Sequence, residues 1–311
     1  MQRIHIDTDI GGDIDDLCAL AMVLEWPDAE LVGVTTVSDD GGKRAGYARH
    51  ALNLANRSDI PVAAGADISL GFYRGRPGFP DESKYWPEPV RAAPGPLDDA
   101  LALLQQSVER GAVIVAIGPF TNLSLLERRS PGILRSANLC LMGGFVHPPR
   151  EGYPQRDGNS DYNIQVDAQS AFHVLGRSTP TLVPLSITVE TWLRRSYLPA
   201  LEAAGPLARL IAKQARAYAI DEKKEERYGQ LCAHLPDDTI NFQHDPLACA
   251  IALGWSEGVE IREVPLKAEM ENGFLRERID STGNPTKVVT QVDGAAFSDF
   301  WLRAVTHRPT Q

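Results

Sequence analysis

Residues 7 to 16 read DTDIGGDIDD, placing five carboxylates and two glycines in ten positions directly behind the apolar residues Ile4 and Ile6. Like charges this close repel unless a cation or protons hold them, so the chemistry on offer is hard-metal ligation by oxygen or acid–base work. Asp7 and Asp9 are one strand period apart and face one side, whereas Asp15 and Asp16, about 100° apart on a helix, point in different directions. Helix capping and the macrodipole account for acidic residues in a first turn, but for only about two of these five. A second constellation stands far downstream in HDPLACAIAL, 244–253, where Asp245 precedes Pro246 and is placed to cap a helix. His244 beside it has an ordinary pKa suited to proton transfer near neutrality.

The spacing excludes two common sites. A calcium-binding EF-hand loop starting at Asp7 needs Asp or Asn at Gly11 and Glu at Cys18, with a helix where an apolar strand stands instead. A phosphate-binding P-loop needs Gly-Lys-Ser/Thr, which the turn lacks. The DTD triplet is similar to the Asp-x-Asp of haloacid dehalogenase-type phosphatases, although Gly11 replaces that family's Thr or Val. That alternative, with Asp7 as nucleophile and Mg²⁺ as cofactor, stays open.

The elements that must position these residues follow from periodicity. Ile14, Leu17, Cys18, Ala21 and Leu24 fall on one helical face, so the acidic cluster is a strand-to-helix turn in which Gly11 and Gly12 free the backbone. Strand-like runs (RIHIDT, ELVGVTTV, PVAAG, AVIVAIG, NLCLMGG, TLVPL) alternate with helical patterns at 14–26, 42–56, about 97–110 and about 167–176. The alternation predicts an α/β fold: an open, mostly parallel, doubly wound (Rossmann-like) sheet with helices on both faces. A small C-terminal strand pair is expected in VEIREVPLKAEM and PTKVVTQVD, before a last helix from about 294 to 305. Ligands of such sheets bind beyond the carboxyl ends of the strands, where the first cluster lies. Residues 66–96, rich in Pro and Gly, read as a long binding or covering loop, and DEKKEERYGQ, 221–230, reads as a solvated charged face.

Composition narrows the partners. The 311 residues carry 31 basic and 41 acidic side chains, a net charge of −10, without a basic run that would bind nucleic acid or an anionic membrane. Four scattered cysteines without a C-x-x-C pair read as reduced, and no apolar run reaches the length of a membrane span. A single domain over 1–311 in the cytoplasm is the expectation.

DTDIGGDIDDLCAL, GVTTV, IPVAAGAD, AIGPFTNL, MGG, DYNIQVDAQSA and HDPLA occur in the order and approximate spacing of the inosine-uridine-preferring nucleoside hydrolase family, which the chain resembles over roughly residues 3 to 255. The resemblance implies an open α/β fold of nucleoside hydrolase type, a bound Ca²⁺, and cleavage of the N-glycosidic bond of ribonucleosides by water. It implies that Asp9, Asp16 and Asp245 ligate the calcium with a backbone carbonyl from Thr121, and that Asp9 activates the water. It further implies that Asp15, Asn163 and Asp161 grip the ribose, Asp161 standing where the family usually has Glu. Asp7 would support the cluster from behind, and His244 is the candidate proton donor to the leaving base. A homodimer or homotetramer is also implied, and a nucleoside- or ribose-binding protein without turnover stays open as an alternative.

Departures from the family pattern concentrate where the leaving group would sit. The cluster is two residues longer between Asp9 and Asp15, with Gly12 and Asp13 as extras and no role evident for Asp13. Asp39 and Asp40 follow the second strand where the common form has Asn, and Asp40 is counted with the ribose-binding residues. The His-Gly loop of pyrimidine- and inosine-cleaving members has no counterpart in 66–96, where Phe72, Tyr73, Tyr85 or Trp86 would stack on a base. Trp192 and Tyr228 are further candidates for a base pocket.

Overall fold

The strand-like runs form as their composition predicts, and β-branched residues buried on both faces mark them as parallel strands covered on both sides. In the computed structural model, which describes residues 1–68 and 79–307, the strands are β1 (Gln2–Thr8), β2 (Ala29–Thr36), β3 (Val62–Ala64), β4 (Val113–Ala116), β5 (Asn138–Met142), β6 (Thr181–Val183), β7 (Trp192–Arg194), β8 (Thr239–Phe242), β9 (Glu260–Glu271), β10 (Phe274–Ile279) and β11 (Asn284–Gln291). Nine of them make one sheet in the order β10-β9-β11-β6-β5-β4-β1-β2-β3. From β3 through β11 along that order all neighbours are parallel; β9 then pairs antiparallel with both β11 and β10. β7 and β8 form a separate antiparallel pair.

Helices cover both faces, as the alternation requires. One core gathers helices Asp15–Leu24, Lys43–Leu54, Pro206–Glu222, His244–Ala252 and Gly294–Thr306; the other gathers Leu97–Glu109, Thr121–Arg129 and Ala168–Leu175. Trp301 is fully buried and donates through Nε1 to the Cys18 carbonyl at 3.1 Å, tying the last helix to the first. Cys18, Cys140 and Cys249 are buried free thiols, as expected of small hydrophobes. Among the described residues no helix is long and apolar enough to cross a membrane.

The expected C-terminal pair forms as β9 with β11, and it is continuous with the main sheet: β11 lies beside β6, and β10 adds a further strand at that edge. Two local readings differ from the sequence expectation. The 221–230 run is not wholly solvated, since Lys224 is buried. Within 66–96, residues 69–78, including Phe72 and Tyr73, lie outside the described residues; Trp86 is buried and stacks on Tyr47 at 4.4 Å, so it serves packing.

That stack reaches the acidic turn. Gly11 adopts a φ of +102°, and a Cβ placed on it would lie 2.3 Å from Tyr47 Cδ2. A Cβ on Gly12 would meet only the end of Arg44 at 3.7 Å, an ordinary contact. Gly11→Ala should therefore destabilise the protein by about 3 kcal/mol through strain and overlap, while Gly12→Ala changes stability by less than about 0.5 kcal/mol. Urea denaturation of the two variants beside wild type checks the contrast; equal midpoints would refute it.

Candidate active site

Strand order reverses between β1 and β4, and at such a switch point the loops leave in opposite directions and open a crevice. Asp9 follows β1 there, and Ile117 follows β4. A cavity of about 520 Å³ is lined by both, together with Asp13, Asp15, Asp16, Asp161, Asn163, His244 and Asp245. A Cβ on Gly118 would lie 2.9 Å from Asp9 Oδ1, so the segment after β4 presses against that carboxylate.

Asp15, Asp16 and Asp245 bring ligand atoms within 4.8 Å of one another, all three side chains being buried. Asp245 reaches the group from inside the first turn of helix His244–Ala252, which starts two residues earlier than a cap at Asp245 would place it. Gln243 occupies the cap position, so the Asp245 carboxylate is not spent on capping. Burial, followed by mutual repulsion, pushes Asp15, Asp16 and Asp245 well above the usual carboxylate range. Asp9 is raised by burial against the opposing charge of Arg44. Thr8 Oγ1 donates to Asp16 and receives the Ile10 N–H at 3.1 Å, fixing one carboxylate to the turn. Four buried acids without a counter-charge among themselves are a donor set that suits a hard divalent cation.

Asp7 is fully buried beneath the turn and does not line the cavity. Its Oδ1 accepts from Thr35 Oγ1 at 2.5 Å and Asn122 Nδ2 at 2.8 Å, and burial lifts its pKa to about 7. Placed there it supports the turn, and it cannot reach a phosphate ester as nucleophile. The phosphatase alternative fails on this point.

The sugar-binding candidates divide. Asn163 donates from Nδ2 to the Ile117 and Met142 carbonyls at 3.0 and 3.1 Å, which leaves its oxygen to act as an acceptor. Asp161 accepts from Gly144 N at 2.6 Å and Ile164 N at 3.1 Å, capping the short helix Tyr162–Gln165, and burial raises it to about 6. Asp40 is exposed and outside the cavity lining; left-handed backbone at Ser38 and Asp40 carries the loop away. Its neighbour Asp39 is buried but spent on Thr36 Oγ1 and on Arg44 N at 2.7 Å, at the start of helix Lys43–Leu54. Thr121 is buried at the first position of its helix, its hydroxyl donating to Asp167 at 2.7 Å, and is not among the lining residues.

His244 lies 2.6 Å through Nδ1 from Thr188 Oγ1, and burial pushes its pKa down to about 3. Trp192 and Tyr228 do not line the cavity; Tyr85 does, with its hydroxyl 3.2 Å from Asp221.

Sequence reasoning missed Arg44, Tyr218 and Lys224. Arg44 is buried and donates to the carbonyls of Ser38, Asp9 and Ile10, so it brings positive charge against the turn. Asp13 gains a role here: Tyr218 and Lys224 both meet its carboxylate. Nothing in a charge run or an isolated arginine signals such inward placement.

Fold and site together define an open-sheet α/β protein with an acidic cavity at the switch point of the sheet. Residues 4–299 match the family described as inosine-uridine preferring nucleoside hydrolase, and the chain belongs to that family. Hydrolysis of N-glycosyl bonds is accordingly its class of chemistry. The chain is 31% identical over 233 residues, 70% of its own length and 73% of the relative's, to the uncharacterized protein C1683.06c of Schizosaccharomyces pombe. It is 30% identical over 248 residues, 74% of this chain and 77% of the relative, to the non-specific ribonucleoside hydrolase RihC of Salmonella paratyphi A. A solved plant nucleoside hydrolase, the PpNRh1 enzyme, superposes with a TM-score of 0.81 over 99% of both chains at 21% identity, a likeness of fold.

A carboxyl whose folded pKa stands above its unfolded value stabilises the fold fully below that value and loses the contribution as pH rises through the folded pKa. For Asp161 and Asp7 the windows run from 3.8 to about 6 and about 7. Asp15, Asp16 and Asp245 are raised in the same sense, and a divalent cation competes with their protons, so added Ca²⁺ should stabilise the protein more at pH 8 than at pH 5. Saturation at a hundredfold over Kd corresponds to about 2.7 kcal/mol. Thermal melts with Ca²⁺ or EDTA at both pH values test this; equal shifts at the two would contradict it.

Proposed function

We propose that the protein hydrolyses the N-glycosidic bond of ribonucleosides to ribose and free base, with Ca²⁺ as its metal. The observation that carries the reading is the convergence of Asp15, Asp16 and Asp245 beside Asp9 in one cavity of about 520 Å³. Asp9, Asp16 and Asp245 would hold the ion, with the Thr121 carbonyl as a further oxygen from the helix that follows the Gly118 segment. When bound, the ion offsets the carboxylate charge and lowers the pKa of a nearby water.

The remaining work belongs to the chain. Asp9 takes a proton from the attacking water as its oxygen closes on the anomeric carbon. Asp15 and the Asn163 oxygen accept hydrogen bonds from the ribose hydroxyls, with Asp161 behind them, which fixes the ring for attack. Displacement at that carbon passes through an oxocarbenium-like state, and carboxylates near the ring favour the positive charge as it develops. His244 stands at the cavity wall as a neutral polar group against the substrate. The same reading takes residues 1–311 as one domain, acting in the cytoplasm as a homodimer or homotetramer, which sedimentation equilibrium tests.

Incubation with a panel of ribonucleosides, followed by a reducing-sugar assay with and without EDTA, tests the reaction. Ribose release that EDTA abolishes is the expected result; binding of a nucleoside without release would instead identify a binding protein. Asp9→Asn should retain the fold by circular dichroism and lower kcat by about a thousandfold. Wild-type turnover in that variant would remove Asp9 from the mechanism.

A further inference from the structure

Hydrolysis as derived above gives no part to Lys224, a cation of the cavity wall. Lys224 lies in a charge-rich run yet is buried, because Lys223 takes a left-handed φ of 50° at the end of helix Pro206–Glu222 and the chain then winds into a π-helix, Glu225–Gly229. A non-glycine residue in that region and a π-turn are each locally unfavourable, and such irregularities gather at functional sites.

The ammonium is held on defined partners. It donates to Asn241 Oδ1 and lies 3.4 Å from Asp13 Oδ2. Asp13 also accepts from the Tyr218 hydroxyl at 2.5 Å and from Asn241 Nδ2 at 2.6 Å. The rings of Tyr218 and Phe242 flank the ammonium at 4.8 and 5.4 Å. A lysine carries three donors and these partners take two, so one remains for a ligand in the cavity that Lys224 lines.

The division of charge in the cavity says what that ligand is. Acceptor groups, Asp15, Asp161 and Asn163, match the protons of sugar hydroxyls. A donor-only cation matches negative charge, and in glycosidic cleavage negative charge develops on the departing base. Arg44 is committed to main-chain carbonyls; Arg156, a second cation of the wall, stacks on Tyr228 and Phe242 at 5.5 and 5.8 Å, keeps its buried Nε without a partner and adds positive charge beside Lys224 around Phe242.

We propose that Lys224, set by Asp13 and Asn241, is the residue that meets the nucleobase and stabilises it as a leaving group. The inference rests on the hydrolase reading. The C1′–N bond breaks with its electron pair moving onto the base, and the water oxygen bonds to C1′. One water proton stays on the new ribose hydroxyl and the other ends on the base; Lys224 donates a hydrogen bond to the base while the charge is present and is unchanged at the end. Asp13 is then a positioning residue, and its place in the lengthened acidic turn is explained.

The test compares two leaving groups. Inosine and uridine release hypoxanthine and uracil, which are poor leaving groups, whereas 4-nitrophenyl β-D-ribofuranoside releases a phenolate that needs little assistance. Lys224→Met should lower kcat/KM on the nucleosides about 100-fold and on the nitrophenyl riboside by less than about fivefold. Because removing the lysine takes away the cationic partner of Asp13, the double variant Asp13→Asn/Lys224→Met is measured alongside, and circular dichroism verifies the fold of both. The same selective loss in the folded double variant is expected; equal loss on both substrate types would overturn the inference while leaving the hydrolase reading intact. A wild-type protein that cleaves neither substrate would overturn both.

Discussion

Repulsion among the carboxylates at the end of β1 is the constraint around which the rest of the site is built. At 4.8 Å, the outer limit for Asp15, Asp16 and Asp245, two full charges in an effective dielectric of about 20 repel by roughly 3 kcal/mol. Nothing in a parallel sheet requires such a cost, and the surrounding structure is arranged to contain it. Arg44 brings a guanidinium against the turn, Thr8 donates to Asp16, and helix His244–Ala252 packs so that Asp245 closes the group from the opposite side. Beneath it Asp7, Thr35 and Asn122 form a buried hydrogen-bonded layer in which Asn122 also donates to the Thr36 carbonyl and accepts from Ala66 N, joining β1, β2 and the loop after β3. The site is therefore continuous with the polar interior of the sheet.

The cavity is polarised as well as acidic. Its acceptors gather around Asp15 and Asn163, and its one buried ammonium stands on the wall formed by helix Pro206–Glu222 and β8, through Asp13, Tyr218 and Asn241. A nucleoside has the same asymmetry, a hydroxyl-rich sugar and a base that gains negative charge on departure. Orientation of the substrate in such a field follows from charge before any shape complementarity is considered.

Legibility in the sequence tracked the range of the interactions involved. Local periodicity revealed the alternating strands and helices, and the strand-end rule then located the site at Asp9, because both depend on neighbours within a few residues. Edge pairing was less legible: β11 joins β6 only through Lys287 with Thr181 and Val288 with Leu182, partners more than a hundred residues apart. The fates of Asp39 and Asp40 depend on left-handed backbone at Ser38 and Asp40, which composition does not announce. Lys224 was read as solvated because nothing in DEKKEERYGQ signals the turn at Lys223 that buries it. His244 was correctly placed beside Asp245, but its protonation depends on burial that only the folded chain provides.

The contact between Gly11 and Tyr47 has a consequence in evolutionary time. Tyr47 is held from above by Trp86 and from below by a glycine that leaves no room for a methyl group. A lineage that replaces Gly11 must first shrink the ring at position 47, and shrinking that ring removes the platform for Trp86. These three positions, far apart in the chain, are therefore expected to change together or not at all.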